Sequence, residues 1–296
     1  VTLPLNSTLI TGSQALFGIK TKLKFGRTTV TAVYSEQKSE TSNITVQGGA
    51  QTNTFSLNSD EYEENKHFLL GQYFYDNYDS SLADLPIIRS NVNIIKIEVW
   101  VTNIGAAVTE NRNIVAFQDL GERDPYNDQI QPGTSVFPNM FTSNNLMQQL
   151  DPYITQIRDI NSVSNVLTGP PFLFEAGTDF VKVENARKLS SNEYTFNSKL
   201  GFISLNTTLN SDQTLAVAYQ YTVIGDTTVY QVGEFSDEGI DPPNVLIVKL
   251  LKSTSLNTEV PIWDLMMKNV YAIGAYQVQR DDFILNILYS GNENGV

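Results

Sequence analysis

Ala15-Leu16-Phe17-Gly18-Ile19-Lys20-Thr21-Lys22-Leu23-Lys24-Phe25-Gly26-Arg27-Thr28-Thr29-Val30-Thr31-Ala32-Val33-Tyr34-Ser35-Glu36-Gln37 alternates apolar and polar side chains with a period of two. Phe17, Ile19, Thr21, Leu23 and Phe25 fall on one side, and Gly18, Lys20, Lys22 and Lys24 on the other, which is strand and not helix periodicity. Gly26-Arg27 puts glycine at the first central position of a two-residue type II′ hairpin turn. Such a turn pairs Phe25 with Thr28, Leu23 with Val30, Thr21 with Ala32 and Ile19 with Tyr34. One face of the predicted hairpin is then apolar, and the other carries Lys20, Lys22 and Lys24 beside Val33, Thr31 and Thr29. Two settings suit it: apolar face to lipid and lysines to water inside a β-barrel, or apolar face on a soluble core and lysines in solvent.

The 296 residues are 41% hydrophobic and 10% aromatic, enough for a sizeable core. Nineteen basic against 32 acidic residues give −13, with no extended basic face for a nucleic-acid partner. The imbalance is uneven, since residues 1–40 are net +3 and the remainder −16. Without cysteine, disulfides, thiolate chemistry and cysteine zinc sites are excluded. No run of eighteen apolar residues suggests a membrane helix, and the chain reads as a piece of a longer one.

Along the chain, the patterns predict five segments: a barrel-type hairpin over 1–40 with an edge strand at Thr2–Ile10, an α+β unit over 41–122, a linker with one helix over 123–170, a mostly β unit over 171–260, sandwich-like or barrel-like, and a short helix with a returning strand over 261–296. Within them, Asn43–Gln47 and Thr52–Leu57 read as strands, and Asp60 to Tyr75 as a helix with acids in its first turn. Ile95, Ile97, Val99 and Val101 alternate with Lys96, Glu98, Trp100 and Thr102, giving a strand whose expected partner is Asn113–Leu120. Asn144–Ile160 has helical spacing interrupted at Pro152, and Gly169-Pro170-Pro171 marks a boundary. Strands follow at 178–183, 194–197, 202–206, 214–223, 229–235 and 244–252, then a short helix at 263–271 and a strand at 282–289.

Catalytic signatures are sparse. His67 is the single histidine and reads as a packing residue. The carboxylate pairs Asp119/Glu122, Glu234/Asp237 and Asp281/Asp282 read as loop and strand-end acids, although a glycosidase would need such a pair. Asp124, Asn127 and Asp128 form a loose oxygen-rich cluster without the spacing of a calcium loop. Glycine-rich phosphate cradles are missing from the sequence. No catalytic residue, cofactor or metal is expected.

Several longer stretches resemble one family. They are Tyr62-x-x-Asn65-Lys66-His67-Phe68, Ile97-Glu98-Val99-Trp100-Val101-Thr102-Asn103 and Arg112-Asn113-Ile114-Val115-Ala116-Phe117-x-Asp119-Leu120-Gly121-Glu122. Further on come Val183 to Leu189, Leu200 to Asn206, Leu215 to Tyr221, Tyr230 to Phe235 and Trp263 to Tyr271. Together they are similar to the SprA/Sov proteins of Bacteroidetes, outer-membrane translocons of type IX secretion that also serve gliding motility. The resemblance implies a mainly β fold with α+β insertions: antiparallel strands of a large transmembrane β-barrel plus a soluble insertion. It implies a channel for folded cargo proteins in the bacterial outer membrane, partnered by a PorV-like barrel, a periplasmic plug protein and outer-membrane lipid. Under it, Phe17, Ile19, Leu23, Phe25, Val30, Ala32 and Tyr34 face lipid, and Lys20, Lys22 and Lys24 face the pore. Residues from about 40 to 280 become an insertion on the extracellular side. The alternative is a non-enzymatic cell-surface β-sandwich for binding or adhesion.

Overall fold

The computed structural model describes residues 17–25, 28–36, 54–105, 110–134, 136–138, 143–255, 257–275, 278 and 283–288; within 17–36 it describes the backbone and the side chain of Lys24. The chain divides into two units, Val1–Ser56 with Ala275–Val296, and Leu57–Gly274.

In the first unit, β1 (Phe17–Phe25) and β2 (Thr28–Glu36) form an antiparallel two-stranded sheet. Phe25 pairs with Thr28, Leu23 with Val30, Thr21 with Ala32 and Ile19 with Tyr34, the register that period and turn predict. The turn itself, the edge strand at 2–10 and the strand at 43–47 lie outside the described residues. Residues 54–57 carry no strand, and neither do 283–288 of the expected returning strand. No strand runs alongside 283–288 among the described residues, where instead the Phe283 ring stacks on Phe55 at 5.8 Å.

The second unit holds the core. Its strands are β3 (His67–Leu69), β4 (Val92–Val101), β5 (Asn111–Phe117), β6 (Phe180–Lys188), β7 (Tyr194–Asn197), β8 (Phe202–Leu205), β9 (Leu215–Val223), β10 (Val229–Val232) and β11 (Leu246–Lys252). Strands β4, β9, β11, β5 and β6 pair in that order, and β6 returns to β4 through Val101↔Arg187 and Trp100↔Lys188, which closes a barrel. Every pair in it is antiparallel except β11–β5. β10 continues along the β9 edge where β11 leaves off. A second sheet runs β3-β8-β7. It covers the side of β4 that β6 leaves free, through the Ile94 N–H on the Ser198 carbonyl and the Tyr194 hydroxyl on the Ile97 carbonyl.

Burial follows from these pairings. β9 and β11 are buried almost throughout, and their sequences, Leu215 to Tyr219 and Leu246 to Leu251, are correspondingly near-continuous in apolar residues. Trp100, Phe117, Phe180, Tyr219 and Tyr221 are among the largest fully buried side chains, each worth about 1.5–3 kcal/mol of apolar burial. Among the described residues six short helices surround the strands: α1 (Gln72–Asp76), α2 (Tyr78–Leu82), α3 (Leu146–Leu150), α4 (Ile154–Ile157), α5 (Val163–Thr168) and α6 (Ile262–Leu265). Pro152 sits in a 3-10 turn between α3 and α4, at the boundary its missing N–H demands.

The mainly β expectation holds, and the closed barrel seen here is a small one of five strands. Segments 41–122 and 171–260 supply strands to this same barrel, and 123–170 carries α3, α4 and α5. β4 and β5, the expected partners, are not hydrogen-bonded neighbours; β4 pairs with β9 and β6. The ladder with β9 shifts register between Ile94 and Lys96, so Ile95 bulges outward, half-exposed, while Ile94 is buried. That bulge breaks the alternation read from Ile95 onward. The expected helix at 60–75 is also corrected: Asn65 takes a left-handed φ of 56°, and Phe68 and Leu69 pair with Ile203 and Phe202 in β8.

Candidate functional site

The sequence places the functional surface on the hairpin. There the register sets Lys20 opposite Val33, Lys22 opposite Thr31 and Lys24 opposite Thr29, and Lys24 is exposed. The side chains of Phe17, Ile19, Lys20, Lys22, Leu23, Phe25, Val30, Ala32 and Tyr34 lie outside the described residues. Nine residues per strand span about 30 Å at about 3.4 Å each. A lone two-stranded hairpin is only marginally stable in water.

The chemistry-bearing residues of the second unit form a buried ionic centre at one end of the barrel. Lys249 on β11 pairs with Glu122 at 2.6 Å, with side chains 2% and 8% exposed. The ammonium also donates to the Gln118 carbonyl. Glu122 accepts the backbone N–H of Gln72, the first residue of α1, at 3.1 and 3.2 Å. Asn144 donates to the carbonyls of Asp119 and Glu122, both at 2.7 Å, and Asp119 accepts the N–H groups of Tyr126 and Asn127 at 2.8 and 3.0 Å. Burial pushes the Asp119 carboxyl above its usual range, and the two N–H bonds partly offset this. The stretch Asp119-Leu120-Gly121-Glu122 thus ties barrel, helix and connection together. Sequence reading missed Lys249 and Asn144; the available signal was a single lysine inside an otherwise apolar strand.

Two further clamps hold the outside of the barrel. Arg158 grips Glu234 with both terminal nitrogens at 2.5 Å, and Glu98 accepts from Lys188 at 2.7 Å and from the Ser236 N–H and hydroxyl at 3.0 and 2.9 Å. The Arg158 grip occupies Glu234, one of the carboxylates weighed as acid–base pairs. Asp237 pairs with Lys96, and Asp281 and Asp282 lie outside the described residues. His67 is on a strand, its ring bonded to Ser204 at 2.8 Å and Glu63 at 3.0 Å. Asp124 is held by Arg123, and Asn127 accepts the Gln129 N–H. Among the described residues no cluster of three or more His, Asp or Glu could hold a metal ion, and no helix is long and apolar enough to cross a membrane.

Glu193 illustrates how such clamps respond to acid. It accepts from the Ser190 hydroxyl at 2.6 Å, the Ser190 N–H at 2.9 Å and Arg187 at 2.7 Å, and these hold its carboxyl down at about 2. The unfolded chain takes up this proton near the ordinary glutamate value while the folded one does not, so the contribution to stability is lost as pH falls from about 4.5 to about 2. In Glu193→Gln, urea unfolding midpoints will fall less steeply across that range than in the parent. An unchanged slope contradicts the assignment.

With this geometry in place, comparison with known proteins is direct. The family model SprA_N, described as motility related/secretion protein, matches residues 2–222. The chain belongs to this family. Membership associates it with motility and secretion. No curated protein matches the chain. The SprA_N span takes in the hairpin, β3 to β8, β9 up to Thr222 and Glu122, and ends before β11 with Lys249. The SprA/Sov motif residues therefore include one half of the ionic centre.

Proposed function

We propose that the chain is a segment of an outer-membrane channel that exports folded cargo proteins in type IX secretion and supports gliding motility, without catalytic chemistry of its own. The hairpin carries the reading. Its paired nine-residue strands have the length a barrel strand needs to cross a membrane, about 9–11 residues, and its register separates the apolar positions from the lysines. In this reading Phe17, Ile19, Leu23, Phe25, Val30, Ala32 and Tyr34 face lipid or a neighbouring barrel, while Lys20, Lys22 and Lys24 line the water-filled side. The Leu57–Gly274 unit then belongs to an extracellular insertion. Cargo proteins, a PorV-like barrel and a periplasmic plug protein are the partners.

Short turns of bacterial barrels lie in the periplasm, which places Arg27 there. The segment has no cysteine, so Arg27→Cys gives this segment its one cysteine, read against the unsubstituted parent protein. An impermeant maleimide will label it only after the outer membrane is opened, and labelling in intact cells contradicts the orientation. Alkaline carbonate tests the larger claim. The parent protein will stay in washed membranes until detergent is added, whereas release into the wash replaces the channel reading with a surface binding module.

A further inference from the structure

Along α1, the Leu57–Gly274 unit carries an open groove. Two clefts of about 670 and 470 Å³ meet there and share Tyr75, Asp76 and Asp264. Tyr73 and Phe137 wall the first, and Tyr78 and Met267 the second. Tyr75 is 48% exposed, an unusual placement for a tyrosine flanked by two concave surfaces.

The charges of the groove are one-sided. Arg123 is committed to Asp124 through bonds of 2.8 and 2.6 Å. Lys268 donates to the carbonyls of Trp263 and Met266 at 2.7 and 3.3 Å, and its ammonium lies 4.7 Å over the Trp263 ring. Asp76, Asp79 and Asp264 make no side-chain hydrogen bond or ion pair among the described residues, although Arg123 and Lys268 lie near enough to act on Asp76 and Asp264 through space. Partial burial pushes the Asp76 carboxyl up, and the nearby Glu122 and Asp124 carboxylates add to it against the opposing pull of Arg123. The unit as a whole has 13 basic and 27 acidic residues, net −14.

We propose that this groove docks an extended, arginine- or lysine-bearing segment of a partner protein. Its tyrosines and Met267 take the aliphatic stems, and Asp76, Asp79 and Asp264 take the cationic heads. The carboxylates are spread along the groove and do not converge as a metal site would, which suits cations spaced on a peptide. An anionic nucleic acid or headgroup would be repelled. The inference goes beyond the channel reading and does not depend on where the hairpin lies.

The test uses the full chain and a short fluorescein-labelled peptide of alternating arginine, glycine and serine, read by anisotropy at low salt. Asp76→Asn/Asp264→Asn will weaken binding about tenfold, and Tyr75→Ala will weaken it as well. Asp212→Asn/Asp241→Asn removes the same charge from exposed positions that line neither cleft, and will leave affinity unchanged. Equal losses in both double variants would reduce the effect to net charge and overturn the proposal. So would an unaltered affinity in Asp76→Asn/Asp264→Asn, or a peptide that does not bind.

Discussion

Lys249→Met will lower the stability of the barrel unit by about 3–5 kcal/mol, because it leaves Glu122 buried without its cation. The alternatives open to that carboxylate are poor. With 8% of its side chain exposed it cannot turn to solvent, and its remaining donor among the described residues is the Gln72 N–H. It will drag the 119–122 loop outward, which also strips α1 of its acceptor. Adding Glu122→Gln removes the stranded charge while keeping an oxygen for Gln72, so the double variant will recover more than half of the loss. Urea unfolding followed by circular dichroism measures both. A loss below about 1 kcal/mol in Lys249→Met contradicts the buried pair, since that is what an exposed ion pair contributes.

Gly201→Ala will have an effect of similar size for a different reason. Gly201 adopts φ +63° in the turn between β7 and β8, and a Cβ there meets the Phe74 ring at 2.0 to 2.4 Å. The ring cannot retreat, since Phe74 is 2% exposed and packs edge-on against Tyr73 and Tyr219. Left-handed backbone costs a residue with Cβ about 1–2 kcal/mol and overpacking about 1–3 more, for an expected loss of about 2–5 kcal/mol. Gly225 isolates the first contribution: its φ is +87°, and a Cβ there meets nothing within 4 Å. Gly225→Ala will therefore lose about 1–2 kcal/mol. Equal losses in the two variants would mean that Phe74 moves aside freely.

The hairpin was legible because both devices that set it are local. Period-two alternation fixes the faces, and a glycine beside the tip fixes which residues meet, so Ile19 to Tyr34 could be paired from sequence. The barrel was not legible, although most of its strands were. Its pairings depend on β9 serving β4 on one edge and both β11 and β10 on the other, and local pattern does not encode a choice among partners so distant in sequence. The bulge at Ile95 and the pairing of His67 to Leu69 with β8 were hidden similarly: in each case tertiary contacts override a clean local period. The ionic centre was half visible. Glu122 stood out beside Asp119, but Lys249 looked like a flaw in an apolar strand and not a partner.

Strand β11 lies between β5 and β9, although both precede it in the chain by many residues. The barrel is therefore assembled out of order. When residues 2–222, the span of the family match, have left the ribosome, β5 and β9 still present bare edges to each other across a gap one strand wide. Only when Leu246–Lys252 arrives does the wall become continuous and the Glu122 carboxylate meet its cation. Until then the emerging chain carries two adhesive strand edges and needs shielding from its neighbours. The timing of the last strand thus sets how long an unguarded precursor exists.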